Sequence, residues 1–135
     1  MLRALVVDDE PSVTAALDCF LRIEGYAVRT ACDGTSALAA VAAQCPDFIV
    51  LDLRMPDMDG LEVLRRIRQD HPSIIVILFS AYLDRAVTQQ ALALGVRACL
   101  QKPLNLPDLS ACLRQALTGP VPAIVPTPQS ASGPQ

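Results

Sequence analysis

Residues 48–60 read FIVLDLRMPDMDG. Four apolar residues in a row, Phe48-Ile49-Val50-Leu51, run directly into an acid, Asp52, and then into a stretch carrying Pro56 and Gly60. A short apolar run without polar alternation is the mark of a strand buried on both faces, which is the situation in a parallel sheet covered by helices. It is more apolar than the runs before it, so it is expected at the centre of the sheet, with Asp52 at its carboxyl end and a loop over Met55 to Gly60.

The same alternation of apolar run and helix-period stretch recurs five times along the chain, the pattern of a βα-repeating α/β fold. Leu2 to Val7 is the first strand. A helix follows from about Pro11 to Glu24, with Val13, Ala16, Leu17, Phe20 and Leu21 on its apolar face, and Gly25 ends it. Ala27 to Ala31 is a strand, Asp33-Gly34 a turn, and the Ala-rich stretch to Gln44 a helix with Leu38 and Val41 inward. A third helix is predicted over Leu61 to Asp70, stopped at His71-Pro72. Ile74 to Phe79 is a strand ending at Ser80, a helix covers about Asp84 to Leu94 before Gly95, and Ala98 to Gln101 is a short last strand. The last helix starts at Asn105, a good N-cap, and carries Leu109, Leu113 and Leu117 to Thr118. From Gly119 the composition turns to Pro, Ser, Thr and Gln, so residues 1–118 are expected as one domain and 119–135 as a Pro-rich disordered tail or truncated linker.

The chain has 135 residues, 52% of them hydrophobic and 19% charged, enough for a single well-buried domain. A net charge of −3 with scattered basic residues disfavours binding to a phosphate backbone. The run Arg65-Arg66-Ile67-Arg68 is expected to present its charged face to water. The five cysteines are widely spaced with no C-x-x-C pair, which implies a reducing cytosol. Cys19, Cys32, Cys45 and Cys112 are expected as small apolar side chains in the core. His71, the single histidine, is expected to be merely solvated. No stretch approaches the roughly 18 apolar residues of a membrane span, and the amino terminus is too briefly apolar for a signal peptide.

In parallel α/β sheets, ligands sit beyond the carboxyl ends of the strands. Strand one ends in Asp8-Asp9-Glu10, strand three in Asp52, strand four in Ser80, and strand five in Lys102-Pro103. Three aspartates gathered at one edge repel and raise at least one pKa unless a cation joins them. Hard carboxylate oxygens with no His or Cys in the pattern point to Mg²⁺. Phosphoryl transfer to a carboxylate needs positioning, a metal and donors around the moving oxygens more than it needs covalent help. Asp52 is thus the candidate nucleophile, with Lys102 and Ser80 placed to bind phosphoryl oxygens.

Val6-Val7-Asp8-Asp9-Glu10-Pro11, Leu51-Asp52-Leu53-Arg54-Met55-Pro56-Asp57-Met58-Asp59-Gly60, Ser80-Ala81 and Lys102-Pro103 together resemble the receiver domains of two-component response regulators, from about Leu2 to Thr118. The resemblance implies a doubly wound (βα)5 three-layer sandwich of the flavodoxin-like type, its parallel sheet ordered 2-1-3-4-5. It implies Asp52 as phosphoacceptor, and Asp9, Asp52 and the Arg54 carbonyl as Mg²⁺ ligands with Asp8 in support. Ser80 is implied as the hydroxyl that moves onto the phosphoryl group, Lys102 as its ion-pair partner, and the bond before Pro103 as cis. The implied partners are a sensor histidine kinase or histidine phosphotransfer protein and a downstream output domain or protein, in the cytoplasm, with no direct nucleic acid or membrane contact. A phosphorylation-linked homodimer belongs to the same picture.

One position departs. Receivers usually carry Tyr or Phe three residues before the lysine, where this chain has Cys99, so a ring-based readout is in doubt. Taken alone, Asp8 or Asp9 reads as a turn acid or helix cap, Lys102 as a surface lysine and Ser80 as a strand-end hydroxyl. Tyr82 and Arg54 flank the proposed site, either tuning water access or lying on an ordinary surface. Two other readings stand beside the receiver. An aspartate-nucleophile phosphatase typically has an acid two residues after the nucleophile, where Arg54 stands here. A phosphorylation-independent adaptor often loses part of the acid-lysine set, which is intact in this chain.

Overall fold

The computed structural model describes residues 1–118; the expected tail at 119–135 lies outside the described residues. The elements run β1 (Arg3–Val7), α1 (Pro11–Ile23), β2 (Ala27–Ala31), α2 (Gly34–Ala43), β3 (Phe48–Asp52), α3 (Gly60–Asp70), β4 (Ile75–Ser80), α4 (Arg85–Ala93), β5 (Ala98–Gln101) and α5 (Leu106–Thr118). All strand pairs are parallel, in the order β2-β1-β3-β4-β5. β3 is central and buried at every residue, as its unbroken apolar run requires.

Alternate residues of each strand feed two cores. Leu5, Val7, Ile49, Leu51, Val76 and Leu78 pack on one face, where α2 and α3 contribute Ala37, Val41, Leu64 and Ile67. Ala4, Val6, Phe48, Val50, Ile77 and Phe79 pack on the other against Leu17 and Leu21 of α1 and Leu109 and Leu113 of α5. That is the doubly wound three-layer arrangement. Burial of this kind stabilises each large aliphatic side chain by about 1.5–3 kcal/mol.

Helix ends follow the cap chemistry. Asp33, Asp59, Asp84 and Asn105 accept the backbone N–H of Ser36, Leu61, Val87 and Asp108 at 2.7, 2.7, 2.8 and 3.0 Å. Gly25 and Gly95 follow α1 and α4 with φ of 102° and 82°, a conformation only glycine adopts without strain. Gly60, expected in the loop, instead opens α3. An added Cβ there would lie 2.7 Å from both the Asp52 carbonyl oxygen and the Leu53 Cα, so this first helical position holds a glycine because the helix start presses on the end of β3.

Two expectations about side chains are corrected. Cys19, Cys32 and Cys45 are exposed, and only Cys99 and Cys112 are buried. Cys19 lies on α1 midway between the inward Leu17 and Leu21, while Cys32 and Cys45 come just after β2 and α2 end. The α3 basic run is also not uniformly solvated. Arg65 and Arg66 pair with Glu62 on the surface, but Arg68 turns toward the loops before β4 and after α4. Its guanidinium donates to the carbonyls of Ile74 at 2.6 Å, Leu94 at 2.7 Å, Gly95 at 3.1 Å, Pro72 at 3.3 Å and His71 at 3.4 Å. It therefore ties the α3–β4 turn to the end of α4. His71 caps α3 through its backbone and brings Nδ1 to 3.8 Å from Cys45 Sγ. Because Arg68→Met would leave several partly buried carbonyls unpaired, it should cost about 2–3 kcal/mol in urea unfolding, whereas Arg65→Met should change stability by under about 0.5 kcal/mol.

Candidate functional site

The carboxyl ends of β1, β3, β4 and β5 bring Asp8, Asp9, Asp52, Ser80 and Lys102 to one edge of the sheet. The parallel register sets Asp52 beside Phe79, one residue before Ser80, and Ser80 beside Gln101, one before Lys102. The bond between Lys102 and Pro103 is cis. Asp8 and Ser80 are fully buried, Asp52 is 3% exposed, and Asp9 is exposed.

Lys102 is the cation of the group. Its Nζ lies 3.0 Å from Asp8 Oδ2, 3.2 Å from Glu10 Oε1 and 3.4 Å from Asp52 Oδ2, and 5.1 Å over the Phe79 ring. Burial pulls its pKa down, but the neighbouring carboxylates of Asp8, Asp52 and Glu10 win and raise it, so the ammonium stays charged. Asp52 moves the other way from an ordinary carboxylate. Burial, and then the charge of Asp8, push its pKa up to about 6 against the opposing Arg54 amide and Lys102.

One ammonium does not satisfy this set. Asp8 Oδ1 accepts the Glu10 N–H at 2.9 Å, the turn bond expected of an isolated acid, but its buried Oδ2 has no hydrogen-bond partner and faces only the charge of Lys102. Asp8, Asp9 and Asp52 each offer an oxygen within 4.8 Å of the others, an all-carboxylate set that fits a hard divalent cation. Asp52, its pKa raised by burial and then by the Asp8 charge, and Asp8 and Glu10 all share the one Lys102 ammonium, which leaves the set with fewer positive charges than carboxylates.

The loops after β3 and β4 complete the edge. The Arg54 N–H donates to Asp52 Oδ1 at 3.3 Å, and the Tyr82 N–H donates to Ser80 Oγ at 3.1 Å. Asp57 reaches back to the start of α2, accepting from Gly34 N at 2.8 Å, Thr35 N at 3.0 Å and Thr35 Oγ1 at 2.7 Å, and these bonds lower its pKa. The loop beside Asp52 is thereby pinned at two points, by Asp57 on α2 and by Gly60 against β3. Gly60→Ala should push that loop off Asp52 and cost about 2 kcal/mol, read as a lowered urea midpoint together with weakened Mg²⁺ binding; Gly25→Ala should cost stability without changing Mg²⁺ affinity.

The whole span bearing these residues, 4–114, matches the family model described as the response regulator receiver domain. The chain belongs to that family. The receiver is 41% identical over 124 residues to the transcriptional regulatory protein TcrA of Mycobacterium tuberculosis, covering 90% of this chain and 48% of TcrA. Among solved structures, it superposes on a CheY-like receiver domain protein from Methanospirillum hungatei with a TM-score of 0.84 at 27% identity, covering 87% of this chain and 94% of the other. With chemotaxis protein CheY4 of Vibrio cholerae the TM-score is 0.82 at 30% identity, covering 86% and 98%. The chain spans about half the length of several curated relatives it matches, among them TcrA. It is a receiver of the two-component type. Among the described residues no helix is long and apolar enough to cross a membrane.

Sequence reasoning reached the acids, the hydroxyl and the lysine. It assigned no part to Glu10 as a third partner of Lys102, to Asp57 as the clamp on α2, or to the amides that hold Asp52 and Ser80. The Asp57 clamp crosses 23 positions of sequence and leaves no periodic trace.

Proposed function

We propose that this receiver takes a phosphoryl group onto Asp52 from a histidine-borne donor, a sensor kinase or a phosphotransfer protein, and passes the resulting change of shape to an output domain or partner protein. The observation that carries the reading is the carboxylate set around Asp52 with a single ammonium, Lys102, inside it. A Mg²⁺ ion would be held by Asp9, Asp52 and the Arg54 carbonyl, with Asp8 in support, and would supply positive charge to the phosphoryl oxygens. The chain's own groups do the rest. An Asp52 oxygen forms the new bond to phosphorus as the P–N bond of the donor breaks and the imidazole leaves with the electron pair, taking up a proton from water. Lys102 neutralises one phosphoryl oxygen, and the Ser80 hydroxyl, one bond away from the Tyr82 amide, turns to donate to another.

A cleft of about 510 Å³ opens beside Lys102, lined by Glu10, Val13, Ala16, Leu104 and Leu106, and its apolar wall suits a helix of the donor protein. The phosphatase alternative lacks its acid: Arg54 occupies that position. A cytoplasmic location suits the five unpaired cysteines. A homodimer formed on phosphorylation is part of the proposal, as are residues 1–118 as the receiver unit and 119–135 as a Pro-rich tail or truncated linker.

The test is acetyl phosphate with Mg²⁺, which should yield one acid-stable, base-labile phosphoryl group, lost when the metal is chelated. Mg²⁺ at about ten times its Kd should also stabilise the fold by about 1.4 kcal/mol. A melting midpoint unmoved by millimolar Mg²⁺, or moved as much in Asp9→Ala, would remove the metal from the proposal.

A further inference from the structure

Cys99 sits 3% exposed in the core on the α2/α3 side of β5, where it has no ring to swing in or out. Its thiol is pushed up to about 11 by burial, and it stays a small apolar plug. A change at Ser80 therefore has no aromatic lever on β5. Phe79, beside Asp52, is locked in the core, and the exposed aromatic residue of this edge stands on the loop that follows Ser80.

Tyr82 is 70% exposed, and the Arg54 guanidinium lies over its ring at 5.2 Å from the centroid. The two side chains join the loop after β3 to the loop after β4. Their backbones are joined to the chemistry. Arg54 N–H is bonded to Asp52 Oδ1, and Tyr82 N–H is bonded to Ser80 Oγ. Each half of the stack is thus anchored by its own amide to one of the two side chains that phosphoryl transfer displaces.

We propose that the Arg54–Tyr82 stack is the aromatic reporter of this receiver, replacing the ring absent at Cys99. The inference rests on the reading of Asp52 as phosphoacceptor. When Ser80 Oγ turns to donate to a phosphoryl oxygen, the Tyr82 amide loses its acceptor. The same event esterifies one Asp52 oxygen and places nearly two negative charges within reach of the Arg54 guanidinium, which is drawn toward them and off the ring. An exposed cation–π contact is worth about 0.5–1 kcal/mol, small beside a charge-assisted hydrogen bond of about 1.5–3 kcal/mol, so the stack yields and the Tyr82 ring moves with its loop. The signal leaves the site through residues 80–85 into the start of α4, and β5 stays nearly still.

The chain contains two tyrosines, which makes the test direct. Tyr26, packed edge-to-face on Phe48 with centroids 4.9 Å apart, serves as the internal control. In protein labelled with 3-fluorotyrosine, beryllofluoride with Mg²⁺ should shift the ¹⁹F resonance of Tyr82 by more than its linewidth and leave that of Tyr26 in place. Ser80→Ala should erase the Tyr82 response, and Arg54→Ala should move the Tyr82 resonance before beryllofluoride is added. In ¹⁵N spectra, amides 80–85 should shift more than amides 98–101. If the Asp52 and Lys102 amides respond while the Tyr82 fluorine does not, beryllofluoride has bound and the reporter role is wrong. If no resonance responds at all, the phosphoacceptor reading fails and takes the reporter with it.

Discussion

Lys102→Met should destabilise the metal-free fold by about 3 kcal/mol at neutral pH, because it leaves buried Asp8 and Asp52 facing each other without the one cation between them. The cost is that of an uncompensated charge, so two conditions should relieve it. Mg²⁺ should stabilise the variant more than it stabilises wild type, since the metal supplies the missing positive charge. Lower pH should relieve it as well. Asp52 already has a pKa raised to about 6 with Lys102 present, and removing the ammonium raises it further. A carboxyl whose folded pKa lies above its unfolded value of about 3.9 carries a penalty that is absent below about pH 4, accumulates between the unfolded and the folded pKa, and is constant above; wild type therefore stops losing stability at about pH 6, whereas the variant, with a higher folded pKa, goes on losing it above that pH. Urea unfolding at pH 5 and pH 8, each with and without Mg²⁺, measures all three terms. An equal loss under every condition would assign Lys102 to packing rather than to charge.

Asp52→Asn should do the opposite to stability while ending the chemistry. Neutralising Asp52 removes a buried charge and its repulsion with Asp8, so the metal-free variant should be more stable than wild type by about 1–3 kcal/mol at pH 8. The same linkage fixes the pH dependence: the difference should be near zero at pH 4, open between pH 4 and 6, where Asp52 is ionised in the unfolded wild type but not yet in the fold, and stay constant above. Saturating Mg²⁺ should narrow it, because only the carboxylate gains from the metal. A variant less stable than wild type at pH 8 without metal would mean that the Lys102–Asp52 contact outweighs the Asp8–Asp52 repulsion, contrary to the raised pKa of Asp52.

The strands were legible because a parallel sheet buried on both faces leaves no polar alternation, and β3, β4 and β1 all carry that mark. Asp52, Ser80 and Lys102 could be placed at one edge because each ends or directly follows its strand, and strand ends in such a sheet share one side. Contacts made by loops and long side chains were not legible in the same way. Arg68 lies in a run that reads as a charged face, and only the approach of the α3–β4 turn to the end of α4 shows its guanidinium bound to five carbonyls. Gly60 reads as a helix breaker, whereas its role is a steric one against Asp52 and Leu53. Cys19, Cys32 and Cys45 show that composition sets no direction for a side chain: the same residue type is buried at Cys112 and exposed at all three.

The most direct measurement is the location of the phosphoryl group itself. Treatment with acetyl phosphate and Mg²⁺, followed by borohydride reduction of the acyl phosphate and tryptic digestion, should convert Asp52 to homoserine within the peptide ending at Arg54, with no such product in the Asp52→Asn variant. A phosphoryl group found on another residue, or one that Asp52→Asn still accepts, would contradict the assignment of Asp52 as the phosphoacceptor.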